Sequence, residues 1–177
     1  SAQFMNEDFS NAITSSEYAI AIDPKNPEGL LSKANGLYQL GNYEEAILYY
    51  NRYLEVAQPD DIVPQIYQEL ALCHSSLHHL DEALAYINKI QGSNSDPTDM
   101  LVMKGHIYLE NDNVPEAERM FKEAITRSHN APIILLRIIV SLYDNRYVKA
   151  CYEMFKKFFS IVVDEHFKQG YSYMALC

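Results

Sequence analysis

The chain has 177 residues, 48% hydrophobic and 21% charged, with six Gly and seven Pro, which excludes a disordered, low-complexity or collagen-like polymer. No apolar run reaches the roughly eighteen residues a membrane helix needs, and Ser1-Ala2-Gln3-Phe4-Met5 lacks the basic and apolar regions of a signal peptide, so neither feature is expected. The net charge of −10 is uneven, with nineteen acids against six Lys/Arg in residues 1–120 and five against eight in 121–177. An acidic body opposes phosphate backbones, because nucleic-acid affinity comes largely from Lys and Arg neutralising phosphates.

In chain order, the first pattern is Phe9 to Ile22, an apolar stripe at helical spacing that ends in Asp23-Pro24-Lys25. Asn26-Pro27-Glu28 then supplies a capping side chain, a Pro suited to the first helical position and an acid in the first turn. A helix over Leu30–Leu40 follows and closes at Gly41-Asn42, where glycine tolerates a left-handed backbone. The next helix begins at Tyr43-Glu44-Glu45-Ala46 and carries Ile47, Tyr50, Tyr53 and Leu54. The same alternation recurs. Tyr67–Leu77, Leu101–Leu109 and Leu135–Tyr143 read as first helices, each followed by a turn and a second apolar stripe. The turns are His78-His79, Asn111-Asp112-Asn113 and Asn145-Arg146; Asn and Asp adopt the left-handed conformation at greater cost than Gly, so these turns should be slightly weaker. Asp96-Pro97-Thr98-Asp99 caps one first helix as Asn26-Pro27 caps another.

Alanines at 12, 46, 83, 117 and 150 anchor the second helices, at spacings of 34, 37, 34 and 33. A helix–turn–helix unit of this period, with Leu30, Ala34, Leu37, Gly41, Tyr43, Ala46 and Tyr50 on signature positions, resembles the tetratricopeptide repeat. The resemblance implies an all-α solenoid of stacked antiparallel helix pairs, a single domain over 1–177. Full repeats are expected at 27–60, 64–97, 98–131 and 132–166, with partial ones at 1–26 and 168–177. The last full repeat is degenerate, with Cys151 and Phe155 off by one. Lys33 and Lys104 occupy a usually apolar position and Tyr53 replaces a small residue, which predicts looser packing or slightly rotated helices there. A two-helix hairpin cannot bury its apolar face alone, so stacking creates the core. The uncapped end at Tyr171–Cys177 suggests a longer array or a homodimer through that segment.

The resemblance further implies a right-handed superhelix whose concave face is lined by first helices. Its groove-facing positions include Asn35, Tyr38 and Gln39, then Gln68 and Leu72. They continue with Val102, His106, Leu109 and Glu110, then Leu136, Val140 and Tyr143. The family's carboxylate clamp needs cationic and amide donors. Leu31, Asn35, Glu69, Asp99 and Met103 occupy those places, and only Asn35 matches. A groove of polar, acidic and apolar character instead suits a peptide or helix of another protein.

No pattern for catalysis stands out. Cys73-His74 are adjacent on a helix and do not face each other. His74 and His78 lie one helical turn apart but lack a completing carboxylate, so a packed histidine is the expected reading. G-x-S-x-G, H-E-x-x-H, G-x-G-x-x-G and P-loop patterns are absent from the sequence. Three cysteines (Cys73, Cys151, Cys177) without CxxC favour a reducing compartment over a disulfide framework, so a cytoplasmic location is expected. The expectation is therefore a non-catalytic protein-binding scaffold, without metal, cofactor, nucleic acid or membrane. A self-assembling array and a helical-repeat RNA binder are the alternatives.

Overall fold

The computed structural model describes residues 2–58, 64–90 and 96–161, with side chains from Phe9 onward. The partial repeat at 168–177, Lys168, His166, Cys177 and the loop around Asp60-Asp61 lie outside the described residues. All secondary structure among the described residues is helical: α1 Ala2–Ile22, α2 Pro27–Gln39, α3 Tyr43–Val56, α4 Pro64–Ser76, α5 Leu80–Ile90, α6 Pro97–Glu110, α7 Val114–Arg127, α8 Pro132–Asp144 and α9 Val148–Ile161. The fold is the expected all-α helical repeat, with α2–α3, α4–α5, α6–α7 and α8–α9 as the hairpins. The chain divides into two compact units, residues 1–90 and 91–177.

The hairpin turns share one device. Gly41, His78, Asp112 and Arg146 all have a left-handed backbone, with φ of 77°, 59°, 58° and 63°. The residue after each donates back across the end of the first helix: Asn42 N to Leu37 O, His79 N to His74 O, Asn113 N to Tyr108 O and Tyr147 N to Leu142 O, at 2.8–2.9 Å. This is the Schellman closure that satisfies carbonyls a helix end would leave orphaned. The helix starts also follow the sequence. Asn26 Oδ1 accepts from Gly29 N at 2.7 Å and Asp96 Oδ1 from Thr98 N at 2.8 Å, each satisfying a free amide of the first turn.

In the first unit the core joins Leu30, Ala34 and Leu37 of α2, Ala46, Tyr50 and Tyr53 of α3, and Ile66, Leu70 and Cys73 of α4. Tyr53 fits within it although a small residue was expected there. The α1 helix packs closely on α2 because Gly36 leaves room: a β-carbon there would stand 2.6 Å from Ile13 Cγ1. Lys33 is also accommodated. Its aliphatic stem is largely covered, and its ammonium lies 2.7 Å from Glu17 Oε1 of α1 and 4.5 Å from the centre of the Tyr49 ring. Burial pushes its pKa down, and the Glu17 carboxylate with Tyr49 more than offsets this, leaving it raised. An amphipathic side chain thus replaces an apolar one without loosening the packing.

The second unit has its own core. It contains Phe121, Ala124 and Ile125 of α7, Leu135, Ile138 and Ile139 of α8, and Cys151, Phe155 and Phe158 of α9. Burying each large side chain contributes on the order of 1.5–3 kcal/mol, so α9 is anchored chiefly by Phe155 and Phe158, its two fully buried phenylalanines. Two anchor alanines differ from expectation. Ala46, Ala83 and Ala117 are fully buried, whereas Ala12 and Ala150 are exposed. In α9 the inward position falls to Cys151, one residue later, which follows from the degenerate register. In α1 the face turned to α2 runs through Ile13 and Ser16, and Ala12 lies beside it.

Candidate functional site

In the first unit, the candidate surface lies on the first helices α2 and α4. Asn35 is exposed, Gln39 is exposed, and Tyr38, Gln68 and Leu72 are partly buried, so all five retain accessible surface. Sequence reasoning missed the polar cluster to which Asn35 belongs. The hydroxyl of fully buried Tyr50 on α3 lies 2.8 Å from Asn35 Oδ1 and 2.7 Å from Glu69 Oε2. Gln65 Nε2 donates to the other Glu69 oxygen at 3.1 Å. A hydroxyl has one proton, so Tyr50 donates to the carboxylate, and the Asn35 amide turns its NH₂ toward the hydroxyl oxygen. Burial first and the Glu69 carboxylate second hold the Tyr50 proton far above the ordinary phenol range. The same two causes push the buried Cys73 thiol up to about 12. The signal available in the sequence was Tyr50 itself: a Tyr in a core stripe needs a partner for its hydroxyl.

Across this unit's second helices the cations are already engaged. Arg52 donates to Pro24 O at 3.1 Å and lies over Tyr49. Lys89 sits 4.4 Å from the Tyr86 ring centre and 5.6 Å from that of Tyr67. His74 stacks on Tyr86 at 5.5 Å, and its buried Nδ1 has no hydrogen-bond partner. Burial and then the nearby His79 lower its pKa. His78 sits in the left-handed turn beyond the end of α4, so the two histidines do not form a shared helical face. Among the described residues no group of three or more His, Cys, Asp or Glu is placed to hold a metal. An open cleft of about 320 Å³ lies between α1 and α2, lined by small residues including Ala12, Ser16, Gly29 and Ser32.

In the second unit the surface is carried by α6 and α8. His106 Nδ1 lies 3.0 Å from Ser141 Oγ and 3.4 Å from Asn145 Nδ2. Asn145 Nδ2 can only donate and Ser141 Oγ is able to, an arrangement that suits Nδ1 as the acceptor of both. Asp99 and Arg137 form an ion pair between the two helices. It is partly exposed and is worth about 1 kcal/mol or less. Leu136, Val140, Tyr143 and Glu110 are all partly buried. Val102 and Leu109 depart from the expectation. They are only 5% and 3% exposed and belong to this unit's core. The reason is that α6 is flanked by α7 and α8, so little of its circumference stays open. The basic character of residues 121–177 is also partly neutralised, since Lys156 pairs with Glu153 and Arg137 with Asp99. Among the described residues no helix is long and apolar enough to cross a membrane.

Two tetratricopeptide-repeat family models match, over residues 3–65 and 98–129, together more than half the chain. Comparison with curated proteins gives no significant match. Among solved structures the chain is similar to MamA, at 16% identity and a TM-score of 0.62, covering 90% of this chain and 91% of that one. It is similar to TTC0263, a thermophilic TPR protein of Thermus thermophilus, at 16% identity and a TM-score of 0.59, covering 98% and 94%. It is likewise similar to YrrB, a TPR protein with an unusual peptide-binding site, at 16% identity and a TM-score of 0.59, covering 90% and 81%. At these identities the likeness carries the fold. With two family models and the repeat architecture in agreement, the chain belongs to the tetratricopeptide-repeat family.

Proposed function

We propose that this chain is a non-catalytic scaffold that binds a peptide or helical segment of another protein on its first helices. Tetratricopeptide repeats generally mediate protein–protein interactions. The observation that carries the reading is the mixed character of the α6–α8 surface. Leu136, Val140 and Tyr143 retain accessible apolar area beside His106 and Glu110. Apolar anchors next to a few oriented polar groups are what a short partner segment needs for affinity and register. A further support is YrrB, whose similar fold carries a peptide-binding site.

The test is capture of a protein partner from native lysate by wild type and by the L136D/V140D variant, with circular dichroism as the folding control. Loss of capture with helicity retained supports the reading. L136Q/V140T serves as a milder pair, because Leu136 also packs against the core of its unit. Undiminished capture by folded variants would move binding to another surface.

A further inference from the structure

The geometry points to a guanidinium-binding subsite at Glu69, so that an arginine side chain of the partner docks on the α2–α4 surface. This rests on the reading of the chain as a protein-binding scaffold and specifies the partner's chemistry in the first unit.

Four observations converge. Glu69 is partly buried, and its two oxygens are each held by one neutral donor, Tyr50 at 2.7 Å and Gln65 at 3.1 Å. A carboxylate has about four acceptor sites, so acceptor capacity remains. Among the described residues no Lys or Arg forms an ion pair with it. Three of the unit's four cations are committed elsewhere: Lys33 to Glu17, Arg52 to Pro24 and Tyr49, Lys89 to Tyr86 and Tyr67. The uncompensated negative field is felt locally, because the carboxylate raises both Tyr50 and Cys73 after burial has done so.

The charge of the unit agrees. Residues 1–90 hold thirteen acids and four Lys/Arg. A cation brought to this surface gains from the local carboxylate and from the surrounding field. The shape favours Arg over Lys. Asn35 and Glu69 meet at one hydroxyl and so stand close together, offering acceptors to a planar fork of five donors. Tyr38 follows Asn35 by three residues on α2 and is partly exposed, which supplies an aromatic neighbour of the kind guanidinium groups favour. The arrangement inverts a carboxylate clamp: the protein presents the acid and the partner brings the donors.

The experiment titrates isotopically labelled full chain with N-acetyl-arginine methylamide and follows amide shifts by NMR. N-acetyl-citrulline methylamide, the neutral isostere, and N-acetyl-lysine methylamide are run in parallel. Saturable shifts centred on Asn35, Gln65 and Glu69, about tenfold weaker with E69Q and absent with citrulline, support the subsite. Gln keeps an acceptor oxygen for Tyr50, and its NH₂ meets the Gln65 amide once that amide turns its oxygen inward, so E69Q removes the charge at nearly constant side-chain volume. Should E69Q not fold, the wild-type shift map decides. Shifts at Glu44-Glu45 or Asp81-Glu82 instead, equal response to citrulline, tighter binding of the lysine compound, or no saturable shift would each overturn the assignment. Partner capture that survives alongside a negative titration sinks the subsite alone. A positive titration without any captured protein sinks the scaffold reading and leaves the subsite standing.

Discussion

Gly105 of α6 faces the ring of Phe121 on α7 so closely that a β-carbon there would stand 2.6 Å from Cδ1 and 2.8 Å from Cζ. The hairpin is therefore built around a missing side chain. G105A should gain about 1 kcal/mol of helix propensity and lose more to overpacking, which typically costs about 1–3 kcal/mol. The expected net is a loss of about 1–2 kcal/mol, seen as a lower urea midpoint with unchanged slope. Adding F121L should recover part of the loss. A neutral or stabilised G105A would show that the α6–α7 approach is wider than the structure has it.

The left-handed turn residues offer the opposite experiment. His78, Asp112 and Arg146 hold φ near 60°, a region that costs a residue with a β-carbon about 1 kcal/mol. H78G, D112G and R146G should each raise stability by about 0.5–1 kcal/mol. Asp tolerates this backbone better than Arg, so D112G should gain least. G41A should lose a comparable amount, since Gly41 has φ of 77°. Thermal midpoints of the four variants measure the series, and a destabilised R146G would argue against the shared closure.

The same turns show how much was legible beforehand. The turn positions are read from local chemistry, because the Schellman closure depends on the residues around the helix end, but Asn or Asp was expected to take the left-handed backbone, and in two turns His78 and Arg146 take it instead. The anchors Ala46, Ala83 and Ala117 and the caps at Asn26 and Asp96 were equally local. What escaped depended on neighbours. Ala12 matched its register but lies exposed beside the α1–α2 contact. Val102 and Leu109 matched groove positions, yet the approach of α8 to α6 buries them. Lys33 broke the pattern, and its compensation sits on Glu17, in a different helix. The Asn35–Tyr50–Glu69 cluster spans three helices, and sequence patterning gives no view of which side chains converge from three directions.

His74 predicts a pH response. Burial and His79 lower its pKa in the folded state, while Glu82 pulls weakly the other way. The unfolded chain therefore takes up a proton first as pH falls. The neutral ring contributes its full stability above the ordinary value of about 6.5, and that contribution declines as pH drops from there through the folded pKa. H74F keeps a ring against Tyr86 and removes the titration, and it also removes the unpartnered buried nitrogen. The expected result is a flatter stability profile below about pH 6.5 for H74F than for wild type, measured by urea midpoints. Parallel profiles would place the acid sensitivity elsewhere.

Thiol labelling reads the integrity of each unit separately, because Cys73 belongs to the first and Cys151 to the second, and both are fully buried. The thiolate is the reactive form. With its pKa pushed up to about 12, chiefly by burial and then by Glu69, Cys73 is disfavoured twice: little thiolate forms, and the sulfur is covered. In a C177S background the native chain should therefore leave both thiols unlabelled by a disulfide reagent at neutral pH, while denaturant exposes both. E69Q removes only the lesser cause, so burial should keep native Cys73 unreactive. Rapid native labelling of Cys73 in wild type would show that the first unit opens around α4 at a cost far below global unfolding.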